Sequence, residues 1–283
     1  MRCSPRPGDN GVMHAADIDA YLRHIDAPRP AAPTLEALRD LQFRHLVAVP
    51  FENLSIHLGE EIVLEGGALV DKVVGRRRGG YCYEINGAFA ELLTALGYGV
   101  TLLAARVMGP DGTFGIPFDH LALLVTTGTG TDGGPGRGEE WLVDVGFGRN
   151  SHHPLSFTER GDQLDAGGVF RIAETEEGDL DVSKDGAVQY RLERRPRALA
   201  DFEAGNWWHR TSPLSPFGQS VLCSRLTEDG SRVTISGRTL VTTDAGGRVE
   251  RTLAEGEMAA AYQEHFGLEL ERVPEARGAG QGS

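Results

Sequence analysis

Cysteine is scarce. The 283 residues hold three, Cys3, Cys82 and Cys223, with no CxxC pair and no spacing of zinc-ligand type. That excludes a disulfide framework and offers no structural metal site. Positive charge is also short: 28 Lys and Arg stand against 41 Asp and Glu, a formal charge of −13. Nucleic acid is therefore not an expected partner, because phosphate contacts need a concentrated basic surface. No stretch approaches the roughly 18 uncharged apolar residues of a membrane span, and the first residues lack a continuous apolar segment of secretory type. No membrane association and a cytoplasmic setting are expected. There is no internal repeat of about 20–50 residues. With 40% hydrophobic and 24% charged residues, the composition is that of an ordinary folded chain, long enough for two or three packed units.

Hydrophobic spacing divides the chain. Ile18, Tyr21, Leu22 and Ile25 recur at helical intervals, a Pro-rich joint follows at 27–33, and Thr34 is placed to cap a second helix through Leu35, Leu38 and Leu41. A third helix begins near Cys82, carries Ile85, Ala88, Phe89, Leu92, Leu93 and Leu96 on one face, and stops at Gly97. From Val100 the period changes, and 100–107, 118–125, 141–145, 169–172 and 188–192 read as strands. Later strands are expected at 219–226, 232–235, 239–243 and 249–253, and a helix at 255–265. Residues 1–13 and the tail from Glu275 are expected to be disordered, and the Gly-rich segment 126–140 to be a mobile loop joining two strands.

Three residues stand out chemically. Cys82 follows Arg76, Arg77, Arg78, Gly79 and Gly80 and opens a helix, so unsatisfied N–H groups and positive charge near the sulfur favour thiolate over thiol. The two glycines read as backbone freedom for a tight loop and as an unobstructed approach for substrate. His120 is a lone polar ring in the apolar run DHLALLV, either a satisfied core histidine or an acid–base partner. Asp144 is a lone carboxylate in WLVDVG, where an unpaired charge would be costly. The two strands flank one loop, so antiparallel pairing would bring His120 to Asp144 and explain the burial of both. Asp144 would then fix the imidazole, and His120 would move the thiol proton.

RGGYCYEINGAF at 78–89, VPFENL at 49–54, the strand with His120, VDVGFG at 143–148 and TSPLSPF at 211–217 resemble the arylamine N-acetyltransferase family over roughly 14–270. The His–Asp connection is longer than the family's, through the Gly-rich loop; such an insertion costs little closure entropy. The resemblance implies an α+β fold: an N-terminal helical bundle (1–97), a central antiparallel β-barrel (98–205) and a C-terminal α/β lid (206–283), with a cysteine-proteinase-like core. It implies Cys82, His120 and Asp144 as catalytic triad, acetyl-CoA as co-substrate, a small arylamine, hydrazine or arylhydroxylamine as acceptor, a ping-pong course, and no metal.

Phe147 and Phe217 fall at positions matching the family's substrate pocket, or are ordinary packed aromatics. Gly146, Gly148, Thr211 and Ser215 are candidates for the CoA side, or ordinary turn residues. Glu84 and Asn86 match the family's C-x-E-x-N pattern and either support the site loop or lie on the helix surface. Arg78 is expected to support the cysteine loop, with Arg76 and Arg77 solvated. Trp207-Trp208-His209 reads as lid packing. Three rivals stay open: a macrolactam-forming amide synthase fed by a polyketide thioester, a transglutaminase- or papain-like cysteine enzyme, and a catalytically inert binding module.

Overall fold

The computed structural model describes residues 13–128, 138–148, 151–244 and 246–276. The expectations for residues 1–12, including Cys3, for most of the Gly-rich loop and for the tail beyond 276 fall outside them.

The N-terminal third is helical. α1 (Ala15–His24) buries Ile18, Tyr21 and Leu22, and α2 (Leu35–Ala48) starts where Thr34 Oγ1 accepts the Ala37 N–H at 3.2 Å. Two short helices not apparent from the sequence follow, α3 (Leu54–Leu58) and α4 (Gly66–Val70), the second running into a π-turn at Asp71–Gly75. α5 (Cys82–Ala95) is almost wholly buried through its first nine residues and ends at Gly97, whose φ of 91° suits glycine.

An eight-stranded antiparallel sheet, nearly closed into a barrel, forms the middle. Its strands are β2 (Gly99–Val107), β3 (His120–Thr127), β4 (Glu139–Val143), β5 (Leu155–Ser156), β6 (Gln163–Asp165), β7 (Gly168–Glu174), β8 (Leu180–Lys184) and β9 (Ala187–Arg197), in the order β5-β4-β3-β2-β9-β8-β7-β6. The terminal strands β5 and β6 meet through a side chain: the Gln163 amide accepts from Ser156 N and donates to Ser156 O, in place of a backbone ladder. Leu103, Ala122, Leu142, Phe170, Ile172 and Leu192 fill the interior. The opposite faces of β2 and β3 pack on α5, so one pair of strands serves both cores.

After α6 (Glu203–Thr211) and the single turn α7 (Pro216–Gln219), β10 (Leu222–Leu226), β11 (Arg232–Ser236), β12 (Thr239–Asp244) and β13 (Gly247–Thr252) form a second sheet, covered by α8 (Met258–Phe266). This sheet takes its edge strand from the N-terminal third. β1 (Phe51–Glu52) pairs with β10, and Asn53 is tied to Leu222, 169 residues away, by its side-chain oxygen. No helix among the described residues is long and apolar enough to cross a membrane.

Candidate active site

Cys82 is the first residue of α5 and is only 2% exposed. A buried scaffold fixes that helix start. The Glu84 carboxylate accepts the Tyr81 N–H at 3.2 Å and pairs with the buried Lys72 ammonium, which also donates to Ser55 Oγ at 2.8 Å. Burial pushes the Glu84 pKa up, and Lys72 counters part of that rise. Arg78 binds Glu52 at 2.9 Å and Glu60 at 3.1 Å. Its charge is thus neutralised by two carboxylates, while Arg76 and Arg77 are exposed. That leaves the start of α5, not the arginine run, as the backbone source of positive potential near the sulfur.

The glycines before the cysteine serve close packing, which corrects the sequence reading. Neither Gly79 nor Gly80 has positive φ. A Cβ on Gly79 would lie 1.8 Å from the Pro50 carbonyl oxygen, and one on Gly80 would lie 2.6 Å from Glu84 Oε2. The space they leave is filled by the chain itself, not kept open for substrate.

His120, 2% exposed, opens β3, and Asp144 lies one residue beyond β4. The antiparallel register of those strands pairs Leu123 with Val143 and brings His120 Nε2 to 2.7 Å from Asp144 Oδ2. Burial alone would lower the ring's pKa. The charge and hydrogen bond of Asp144, joined by contact with Cys82, outweigh it and hold His120 raised to about 10. With Nε2 committed to Asp144, Nδ1 is the nitrogen left for the sulfur.

Asp144 is held by donors on every side. Asn86 Nδ2 and Gly146 N each reach Oδ1 at 2.9 Å, and the buried Tyr190 phenol hydrogen-bonds the same carboxylate. Burial and then the Asp144 charge push the Tyr190 pKa well up, so the phenol stays protonated and acts as donor. Asn86 sits one turn after Cys82. Besides Asp144 it donates to Leu121 O at 2.7 Å and accepts from Val145 N at 2.9 Å, so one amide ties α5, β3 and the loop after β4 together. Both Glu84 and Asn86 are buried, 2% and 0% exposed, and neither lies on the helix surface. Asn86→Ala leaves those three groups short of a partner, each worth about 1–3 kcal/mol when buried. A loss of about 3 kcal/mol in urea unfolding is the expected result; unchanged stability would show that water replaces the amide.

Gly146 is pressed against Cys82: a Cβ there would lie 2.7 Å from Cys82 Cα and 2.6 Å from Asn86 Nδ2. Phe147 stands edge-on to His120 at 5.3 Å and to Tyr190 at 5.2 Å. Phe217 belongs to a different cluster, with ring centroids 4.9 Å from His209, 5.5 Å from Tyr81 and 6.0 Å from Phe51. Thr211 is exposed and its hydroxyl donates to the Trp207 carbonyl within its own helix. Ser215 is fully buried; its oxygen caps α7 at Phe217 N and meets His209. Both hydroxyls are engaged in finishing helices, and neither residue lines the main cleft. Tyr190 is the site residue that sequence reasoning missed, since a tyrosine in a long strand carries no local signal.

That cleft, about 1380 Å³, runs between the barrel and the C-terminal sheet. Gly148 and Phe51 line it, as do Arg232, Lys184 and His152 together with Asp185, Asp229 and Asp244. Among the described residues Arg232 has no carboxylate partner; its Nη1 donates to Ser224 Oγ at 3.3 Å. Burial lowers its pKa from the ordinary arginine value.

A family model described as N-acetyltransferase matches residues 34–274. The arylamine N-acetyltransferase of Mycobacterium bovis is 34% identical over 274 residues, covering 94% of this chain and 93% of the relative. Arylamine N-acetyltransferase 1 of Homo sapiens is 32% identical, covering 90% and 95%. A solved structure of Mycobacterium marinum arylamine N-acetyltransferase in complex with CoA superposes with a TM-score of 0.79 at 32% identity, covering 89% of this chain and 93% of that one. On sequence and fold together, the chain belongs to the arylamine N-acetyltransferase family of acyltransferases.

Proposed function

We propose that the chain moves an acetyl group from acetyl-CoA, through a thioester on Cys82, to the nitrogen of a small arylamine, hydrazine or arylhydroxylamine. The observation that carries this reading is the buried relay from Cys82 through His120 to Asp144 at the start of α5. In this reading the Cys82–His120 pair reacts as thiolate and imidazolium, with Asp144 holding the proton on the ring. The sulfur attacks the donor's carbonyl carbon, the C–S bond to CoA breaks, and His120 gives its proton to the departing thiolate. In the second half the amine attacks the Cys82 thioester, His120 takes the amine proton, and the sulfur leaves with the pair as it began. Asp144 holds the ring's orientation and offsets its charge throughout.

Two features support the donor assignment. The Mycobacterium marinum relative was solved with CoA, and the cleft is lined by both Arg232 and Gly148, the latter two residues from the glycine that abuts Cys82. The donor's phosphate end then lies by Arg232 and its thioester beside Gly146 and Gly148, two positions that offer backbone and no side chain. Phe147, edge-on to His120, is the ring against which an aromatic acceptor stacks. In this reading the functional units divide near 98 and 205.

Mixing the protein with acetyl-CoA should release one equivalent of CoA quickly and continue only when an aniline or hydrazine is added. No burst with any short acyl-CoA, from a thiol that alkylates readily, would transfer the reading to an amide synthase fed by a carrier-bound thioester. Peptide cleavage would transfer it to a cysteine hydrolase of the same Cys, His, Asp order. Arg232→Ala should raise the KM for acetyl-CoA about tenfold, the scale of one charge-assisted hydrogen bond. It should leave acylation by a small acetyl ester lacking CoA unchanged; an equal loss with both donors would remove Arg232 from the phosphate site.

A further inference from the structure

The segment that delivers His120 is strained and externally held. Phe118 has a left-handed backbone, φ 60°, a conformation a bulky residue keeps only when its surroundings over-determine it. Tyr83 Oη donates to the Phe118 carbonyl at 2.5 Å, the Phe118 ring packs edge-on to Phe202, and the Arg197 guanidinium lies 4.7 Å above it. Asp119 is gripped next. Val107 N donates to its Oδ2 at 3.2 Å, and His209 Nε2 lies 3.2 Å from its Oδ1 and 3.3 Å from its carbonyl oxygen. That carbonyl is the one 3.9 Å from Cys82 Sγ.

His209 comes from α6, is 2% exposed, and has its other nitrogen 3.2 Å from Ser215 Oγ. Both Asp119 atoms are acceptors, so Nε2 carries the proton. Nδ1 then accepts the Ser215 hydroxyl, whose oxygen accepts from Phe217 N, and one arrangement satisfies every group. Gly205, one turn earlier on α6, permits the approach: a Cβ there would lie 2.6 Å from Tyr83 Oη and 2.9 Å from the Phe118 carbonyl. Two residues at i and i+4 of one helix therefore bear on the two residues preceding His120.

We propose that His209 is a positioning residue for acyl transfer. By holding both the side chain and the carbonyl of Asp119, it keeps the strained Phe118–Asp119 turn from relaxing and so fixes the His120 ring against Cys82. Seating of α6 thereby becomes a condition for a competent nucleophile. The inference rests on His120 as the partner of Cys82.

The test compares the full-length chain with His209→Ala and His209→Gln, whose amide N–H can still reach Asp119. Two readouts are taken: the rate of Cys82 alkylation by iodoacetamide at pH 7, located by peptide mapping, and the rate and amplitude of CoA release from acetyl-CoA. In His209→Ala the expected amplitude stays at one per chain and the half-saturating acetyl-CoA concentration stays within about twofold. The limiting rate falls about 10- to 100-fold, as for a reacting group displaced by about 1 Å, and alkylation slows with it. His209→Gln should recover to within about fivefold of the native rate. Native rates in His209→Ala, an amplitude lost in proportion to unfolded protein at an unchanged rate, or a Gln variant as impaired as Ala would each overturn the proposal. If the Ala variant does not fold, Ser215→Ala decides. A slower limiting rate at unchanged half-saturation supports the clamp, and a native rate, or a change in half-saturation alone, overturns it. A native chain that alkylates at Cys82 but releases no CoA would refute the acetyl-CoA reading while the alkylation rates still decide the clamp.

Discussion

Asp144→Asn is expected to leave the chain folded and to slow CoA release in a single turnover by about 10³–10⁴-fold, the scale of a wrongly set tautomer in a triad. The surrounding donors dictate how it fails. Asn86 Nδ2 and Gly146 N both point at Oδ1, so the substituted side chain must keep its carbonyl there and turn its NH₂ towards His120. Nε2, which now donates to Oδ2 at 2.7 Å, would have to accept instead. The ring proton then moves to Nδ1, facing Cys82, and the imidazole can no longer receive a proton from the thiol. Urea unfolding should change by about 1–3 kcal/mol at most, because the shape and the Oδ1 bonds persist. Near-native turnover in a folded Asp144→Asn variant would take Asp144 out of the relay.

The other large effect is expected at the nucleophile. Intact-mass analysis after acetyl-CoA alone should find one added acetyl group, on Cys82, and none in Cys82→Ala. Loss of turnover should reach about 10⁶-fold, as when a covalent route is removed outright. Cys223 is no substitute: it is fully buried in β10, and burial, with the nearby Glu52 charge, pushes its thiol pKa well up. An acetyl group on Cys223, or one persisting in Cys82→Ala, would overturn the assignment.

Much of this is legible residue by residue. The i, i+3, i+4 spacing after Cys82 specifies α5, and Thr34 marks the start of α2 through the hydroxyl that caps it. His120 and Asp144 each advertise a partner by being polar in an apolar strand, and β3 and β4 bring them together. What escapes reading depends on contacts distant in sequence. Lys72, between Asp71 and Val73, looks like a surface residue, yet its ammonium is buried on Glu84. β8 escapes because Leu180–Lys184 mixes charges into a short hairpin strand whose inward residues are only Leu180 and Val182. Thr211 and Ser215 have the right chemistry for phosphate or pantetheine, but residue type says nothing about a hydroxyl already bound to its own backbone. Gly79 and Gly80 signal a constraint correctly and its cause incorrectly, since close approach and backbone freedom leave the same letter in a sequence.

The two-residue strand β1 has a temporal meaning. Glu52, fully buried, accepts the Leu54 N–H at 2.6 Å and anchors Arg78 just before the nucleophile's loop, and its own strand partner is Cys223. A ribosome releases residues 51–82 long before residue 223. Until β10 emerges, the backbone groups of Phe51 and Glu52 have no ladder, and Asn53 lacks the Leu222 N–H that satisfies its side-chain oxygen. Pairings this distant in sequence form late in folding. The thiol at the head of α5 therefore acquires its finished surroundings only when the chain is nearly complete.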